Sequence, residues 1–321
     1  MSTIVFHVLQ CPSHLNSSFK IAKRLKSRGH RIVYFNFIEL KGVILSQGFE
    51  FFSIPSNHYL NQGKLKKSKV QKFFQLNRSV RYYSREFLKG NFYDDILGAI
   101  SPDLFIIDLS LIYYSVFLFN KAPFLITCTK VSLNKSDTIS PISFTFFPIR
   151  CNVLSKVFIK ILWKFELMKF KIIQIYYFLR PDKVSHYFLV KKFLKSNKVN
   201  LIESIDNNRS LHFGLKDIPE LILSPKSFDF PRYYGLNQIH IGPVVDLERK
   251  ELGYDQNFDC IWQDIEFKIK KNSFKLIYCS LGSYTSEFIK LRISFYIKVI
   301  KVFMKMDNVI LILSTGNKII E

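Results

Sequence analysis

Two places in this 321-residue chain combine side chains that can move a proton or hold an anion. The first is His14, which follows the apolar run 3–9 and the turn Cys11-Pro12-Ser13 and opens an amphipathic stretch. An imidazole titrates near neutrality and suits the task of a general base toward a hydroxyl. After a first parallel strand it would stand in the crevice at the carboxyl edge of the sheet, where α/β proteins bind ligands. The competing reading is a surface residue at a helix start. Asp108 ends the apolar run Leu104-Phe105-Ile106-Ile107, an expensive place for a charge unless something pairs with it. A carboxylate there either caps the following helix or orients an imidazole and stabilises its cation. His7, inside the first strand, and His30, at a helix exit, read as structural. The second place is the small-residue turn Ser280-Leu281-Gly282-Ser283 between a strand and a helix. Such a turn can offer backbone N–H groups and a hydroxyl to a phosphate at a helix N-terminus, and it also joins strands to helices where no ligand binds. The sequence has no GxGxxG and no GxxxxGK[ST], which argues against ordinary dinucleotide and P-loop sites. It has no Asp-x-Asp pair either, so no metal is expected on a diphosphate.

The elements that must position these residues alternate between strand and helix. Residues 3–9 read as a strand, 14–28 as a helix with Phe19, Ile21, Ala22 and Leu25 inward, and Gly29 as its C-cap glycine. A strand over 31–37, a short helix to 46, the turn Gln47-Gly48 and a strand over 49–54 follow. This βαβαβ order is the start of a parallel, doubly wound sheet. Strands over 104–107 and 124–128 with a helical stretch over 112–120 continue it. The region 151–195 is long, helical and dense in Lys, Phe, Ile and Tyr. Pro225, Pro231, Gly235, Gly242 and Pro243 make 223–243 the densest run of breakers, read as a linker. A helix over 258–271, a strand over 275–280, a helix over 288–304 and a strand over 309–313 complete the pattern.

In this order the chain resembles the nucleotide-sugar-dependent family 1 glycosyltransferases, the UDP-glycosyltransferase superfamily, and within it the bacterial macrolide-glycosyltransferase-like branch. Six segments carry the resemblance, in the family's order. They are Ser13-His14-Leu15-Asn16-Ser17-Ser18-Phe19 with Arg28-Gly29-His30; Ser46-Gln47-Gly48-Phe49-Glu50-Phe51; Pro102-Asp103-Leu104 through Asp108; Phe228-Asp229-Phe230-Pro231-Arg232; His240-Ile241-Gly242-Pro243; and 276–283. The resemblance implies an α/β chain of GT-B architecture, two Rossmann-like domains facing across a cleft. Residues 1–243 would form the acceptor-binding domain, with its linker at about 224–243, and 244–321 a partial donor-binding domain. It implies His14 as the base, Asp108 as its dyad partner, and Ser280, Gly282 and Ser283 beside the donor diphosphate. The implied reaction is an inverting transfer of a sugar from a UDP-sugar, or a related nucleotide-sugar, to a hydroxyl of a small lipophilic acceptor, without a metal or other cofactor. Two features depart from the family. Ser13 stands where Gly is common, and the sequence ends at Glu321, before the His-Gly-Gly stretch that makes most donor contacts, so the chain reads as truncated or split. The alternative of a different class is a catalytically incompetent fragment that binds an acceptor or a membrane surface.

Composition bounds the rest. Lys and Arg number 47 against 25 Asp and Glu, a formal charge of +22, while 48% of residues are hydrophobic and 16% aromatic. That is too apolar for a disordered chain, and the length suffices for two domains at about 100–200 residues each. Cys11, Cys128, Cys151, Cys260 and Cys279 form no CxxC pair and are odd in number, which argues against a disulfide framework or a structural zinc site and points to a reducing compartment. The apolar stretches 104–128 and 153–179 are interrupted by charges, and neither offers the roughly 18 uncharged residues of a spanning helix. The amino terminus lacks a basic region before its apolar run, unlike a signal peptide. A cytoplasmic protein is expected, with peripheral membrane contact through one helix. In that helix Lys156, Lys160 and Lys164 recur at i, i+4 and i+8, and Lys171 lies seven further on. The helix either rests on an anionic bilayer or turns a solvated lysine face outward while its apolar residues pack inward. No compact basic and aromatic module for nucleic acid is present.

Overall fold

The computed structural model describes residues 1–54, 69–144, 152–200, 204–210, 213–230, 237–247, 256–272, 274–281 and 289–314. The chain divides into two compact units, Met1–Lys250 and Glu251–Glu321, seven residues beyond the boundary expected from the sequence.

The first unit is built on a parallel sheet. Its elements in order are β1 (Thr3–His7), α1 (Pro12–Ser27), β2 (Arg31–Asn36), α2 (Lys41–Ser46), β3 (Glu50–Ser53), α3 (Lys69–Lys89), α4 (Asp94–Ile100), β4 (Leu104–Asp108), α5 (Ile112–Ser115) and β5 (Phe124–Cys128). Then come α6 (Val153–Leu179), α7 (His186–Ser196), a two-residue hairpin pair β6 (Ile205–Asp206) and β7 (Gly214–Leu215), β8 (Glu220–Ile222) and β9 (Gln238–His240). The seven-stranded sheet runs β3-β2-β1-β4-β5-β8-β9, with every neighbouring pair parallel. The order reverses between β1 and β4, and such a switch point opens a crevice at the carboxyl ends of the two strands.

Both faces of the sheet are covered, as a parallel sheet requires. Alternation along each strand divides the core in two. Val5, Val33, Phe35, Phe105 and Ile107 face one side with Tyr83 and Phe87 of α3, Ile96 of α4 and Val190 and Leu194 of α7. Ile4, Phe6, Ile32, Tyr34 and Ile106 face the other with Leu15, Phe19 and Ala22 of α1 and Ile44 of α2. Two helix ends use the same chemistry. Gly29 at φ +86° and Gly48 at φ +80° take the left-handed conformation that glycine accepts without a Cβ penalty. In each, the glycine N–H and the next N–H bond back to the last turn, Gly29 to Lys26 O and His30 to Leu25 O, Gly48 to Leu45 O and Phe49 to Ile44 O, a Schellman closure.

Three elements differ from the sequence reading. The breaker-rich stretch 223–243 carries β9, which pairs with β8 through Glu220↔Gln238 and Ile222↔His240; Pro231 and Gly235 lie outside the described residues. Among the described residues β9 is the last strand of the sheet, and breakers near an edge strand are tolerated. The helix expected over 112–120 is short, α5 followed by a 3-10 turn Val116–Leu118. On α6 the apolar residues do not all pack inward: Ile159, Leu162 and Trp163 are buried while Ile161 and Phe165 are exposed.

The second unit contains α8 (Gln256–Asn272), β10 (Lys275–Ser280), α9 (Ile289–Phe303) and β11 (Val309–Ser314). β10 and β11 pair in parallel from Lys275↔Val309 to Ser280↔Ser314. The Tyr296 hydroxyl of α9 accepts from the Leu281 N–H at 3.2 Å and donates to Ser314 O at 2.7 Å, tying the carboxyl ends of both strands to the helix. Among its described residues only Ile265 and Tyr296 are buried hydrophobics.

Candidate active site

The sheet register brings two distant residues together. β1 pairs with β4 through His7↔Ile107, so the loop leaving β1 and the residue ending β4 meet at the switch point. Pro12 occupies the first turn of α1, where its fixed φ suits a helix start and its missing N–H costs no bond. His14 follows within that turn, 15% exposed at the side chain, and Asp108 is 3% exposed. His14 Nδ1 lies 2.5 Å from Asp108 Oδ2. A carboxylate accepts only, so Nδ1 carries the hydrogen and donates, leaving Nε2 as the ring's basic lone pair. The other oxygen, Asp108 Oδ1, accepts from the Ser110 backbone N–H at 2.8 Å, which makes Asp108 the N-cap of the 3-10 turn Leu109–Leu111. One side chain thus caps the turn and contacts the imidazole. No sequence signal marked Ser110, because its contribution is a backbone group.

Behind the pair lies an aromatic wall. His7 is buried, its Nδ1 2.8 Å from Tyr93 Oη, and burial pushes its pKa down to about 3 against the opposing charge of Asp108. It is neutral, in keeping with a structural role. His186, at the start of α7, stacks on Tyr113 with ring centroids 3.9 Å apart and lies 3.0 Å from Tyr83 Oη; burial lowers its pKa to about 4. Burial also raises the Tyr113 phenol well above its ordinary value, with Tyr114 and Asp108 adding to the shift. Tyr113 and His186 were not marked in the sequence.

The strand beside β4 leads to a second feature. After β5 the segment 131–142 lines a cavity of about 60 Å³ with Trp163, Ser210 and Phe230. That is far below the roughly 300–1,000 Å³ of a small-molecule site. Its rim is fixed by a buried network: Ser132 Oγ donates to Gln238 Oε1 at 3.1 Å, Gln238 Nε2 donates to Glu220 Oε2 at 2.9 Å, and Arg209 donates to Glu220 Oε1 at 2.7 Å. Gly242, in the segment after β9, passes so near β8 that a Cβ there would sit 2.0 Å from Leu223 O.

Of the residues expected from the sequence on the donor side, Ser280 ends β10, while Gly282 and Ser283 lie outside the described residues. Among the described residues no group of three or more His, Cys, Asp or Glu side chains could hold a metal ion. Cys11, Cys128, Cys260 and Cys279 are free thiols.

No protein-family model matches the sequence, and no curated protein sequence matches it. Solved structures do. The kitacinnamycin glycotransferase superposes with a TM-score of 0.57 at 16% identity, over 100% of this chain and 67% of that one. CalG4, the calicheamicin glycosyltransferase, superposes with a TM-score of 0.53 at 14% identity, over 99% of this chain and 66% of that one. The chain thus spans about two thirds of the length of these structures. At such identities the likeness concerns fold, and the fold is of GT-B type, a Rossmann-like first unit followed by strands and helices of a second.

Proposed function

We propose that this chain takes part in transferring a sugar from a nucleotide diphosphate donor, UDP-sugar or a related one, to a hydroxyl of a small lipophilic acceptor. The observation that carries the reading is the His14–Asp108 pair at the switch point of the sheet. The GT-B fold shared with two antibiotic glycosyltransferases supports it by analogy of fold. In this reading 1–243 holds the acceptor and 244–321 contributes to the donor side.

His14 Nε2 takes the acceptor hydroxyl's proton as that oxygen attacks the anomeric carbon, and the bond from that carbon to the diphosphate oxygen breaks with the electron pair leaving on the diphosphate. Attack opposite the leaving group inverts the anomeric centre. Asp108 holds the Nδ1–H tautomer and stabilises the imidazolium that forms. On the sequence resemblance, Ser280, Gly282 and Ser283 would receive the diphosphate; Ser280 ends β10 and the other two lie outside the described residues. No metal enters this reading.

Among the described residues of the second unit only Ile265 and Tyr296 are buried hydrophobics, which favours a second reading, an acceptor-binding chain without turnover of its own. One experiment separates them: the purified chain is offered UDP-glucose and related donors with a panel of lipophilic alcohols, and both glycoside formation and acceptor binding are measured. Glycoside that disappears in His14→Ala supports transfer. Saturable acceptor binding without glycoside supports the second reading, and activity indifferent to His14 sinks the proposed base.

A further inference from the structure

Helix α6 is fastened to the first unit along one face and bare along another. Ile159, Leu162, Trp163 and Glu166 are buried, the Trp163 indole N–H donates to Ile139 O at 2.8 Å, and Phe170 packs edge-on against Tyr187 of α7 at 5.5 Å. These contacts set the rotation of the helix. On the outward side Ile161, Phe165, Met168, Ile172, Ile175 and Leu179 are between 42% and 72% exposed. Their spacing of four and three residues places them on one stripe, about 27 Å long at 1.5 Å per residue. Contiguous exposed apolar surface of this extent marks an interaction site.

The charge beside the stripe says what it meets. At 100° per residue Lys160, Lys164 and Lys171 lie along one flank and Lys169 along the other, all exposed. The helix has a single acid, Glu166, and it is buried. A second copy of the same helix would set these lysines against each other, since nothing acidic answers them across a self-paired seam. An anionic surface satisfies both features at once: the apolar stripe sinks to the boundary between headgroups and acyl chains, and the lysines reach back to the phosphates. Among the described residues no helix is long and apolar enough to cross a membrane, so the helix would lie in the plane of the bilayer.

We propose that α6 docks the protein on an anionic lipid bilayer, with the stripe from Ile161 to Leu179 inserted and the flanking lysines on the lipid phosphates. This surface is independent of the glycosyl-transfer reading.

The test is co-sedimentation of the full chain with vesicles of equal parts phosphatidylcholine and phosphatidylglycerol, and with vesicles of phosphatidylcholine alone. Two variants are compared: the apolar triple Phe165→Ser, Met168→Ser, Ile172→Ser, and the charge triple Lys160→Gln, Lys164→Gln, Lys171→Gln. The charge triple leaves the buried face of α6 untouched, and circular dichroism checks the fold of both. The parent should bind the anionic vesicles far better than the neutral ones. At about 1 kcal/mol per surface cation, the charge triple should lower the partition coefficient on the order of 100-fold, and the apolar triple should lower it at least tenfold. Failure of the parent to sediment, equal binding by parent and both variants, or a dimer in solution that the apolar triple abolishes would each overturn the proposal, the last by placing a second copy on the stripe.

Discussion

Asp108 gives one oxygen to His14, at 2.5 Å, and the other to the Ser110 N–H, at 2.8 Å. The first bond fixes the imidazole tautomer and the second fixes the carboxylate, because a side chain held at both oxygens cannot turn about its terminal bond without breaking one. The cap at the end of β4 is thereby part of the device that aims His14, and substitutions at the two residues separate chemistry from stability.

Replacing His14 by Ala removes the proposed base from a part-exposed site at the start of α1. Turnover should fall by about 100- to 10,000-fold, while the unfolding midpoint in urea stays close to that of the parent. Rates of glycoside formation and an unfolding curve on the same preparation check both halves. Near-normal turnover would return His14 to a structural role.

At Asp108, Asn and Ala should lower turnover alike, because in the proposed reaction both remove the charge assigned to stabilising the imidazolium. They should differ in stability. Asn keeps an oxygen for the Ser110 N–H, and Ala loses the cap at about 1 kcal/mol. Equal unfolding midpoints for the two variants would show that the Ser110 bond contributes nothing.

The buried histidines predict a pH dependence. Folding holds His7 at about 3 and His186 at about 4, whereas an unfolded imidazole titrates near about 6.5. Below about pH 6.5 the unfolded chain binds protons that the native chain refuses. Their contribution to stability is therefore fully present above that pH and is lost as pH falls toward the native values, at up to about 1.4 kcal/mol per pH unit for each group. Urea unfolding at pH values between about 7 and 5 should show the decline, and His186→Phe should make it shallower. An unchanged slope in that variant would remove His186 from the account.

The sheet was readable wherever a strand was long enough to show its pattern. β1, β2, β5 and β10 follow from β-branched runs bounded by turn residues, and α1 from its periodicity between Pro12 and Gly29. β9 was hidden because Gln238, Ile239 and His240 are too few to show alternation and sit among breakers. The cap on Asp108 was hidden because it comes from a backbone N–H, and the aromatic wall because Tyr113 and His186 are 73 positions apart and meet only through packing. The proximity of His14 and Asp108 was within reach of the sequence only through resemblance, since periodicity alone does not set β1 beside β4. The exposed stripe on α6 was half legible: the lysine spacing was visible, but which apolar side faces outward depends on Trp163 being buried.

Arg209 and Glu220 form an ion pair that is 6% and 4% exposed at the side chains. Glu220→Leu strands a buried guanidinium and should cost about 3–5 kcal/mol. The double change Arg209→Met with Glu220→Leu should recover much of that loss, since no charge is left unpaired. Denaturant midpoints of the parent, single and double variants form the measurement, and a double variant no better than the single would refute the pairing argument.

Gly242→Ala would place a methyl 2.0 Å from Leu223 O, a backbone atom that cannot swing aside. Relief requires a shift of the chain after β9 or of β8, at a cost of about 1–3 kcal/mol. A melting temperature lowered by several degrees is expected, and an unchanged one would show that this approach is not tight in solution.

Tyr296 gathers the ends of β10 and β11 through a single hydroxyl, in a unit whose described buried hydrophobics number two. Cooperative protection scales with what a segment buries, so the amides of β10 and β11 should open in local excursions that leave the first unit intact. In deuterium oxide they should exchange orders of magnitude sooner than those of β1 and β4, and Tyr296→Phe should erase the little lag they have. The chain would then present two clocks to a protease or a chaperone, a slow one set by the seven-stranded sheet and a fast one set by a tyrosine.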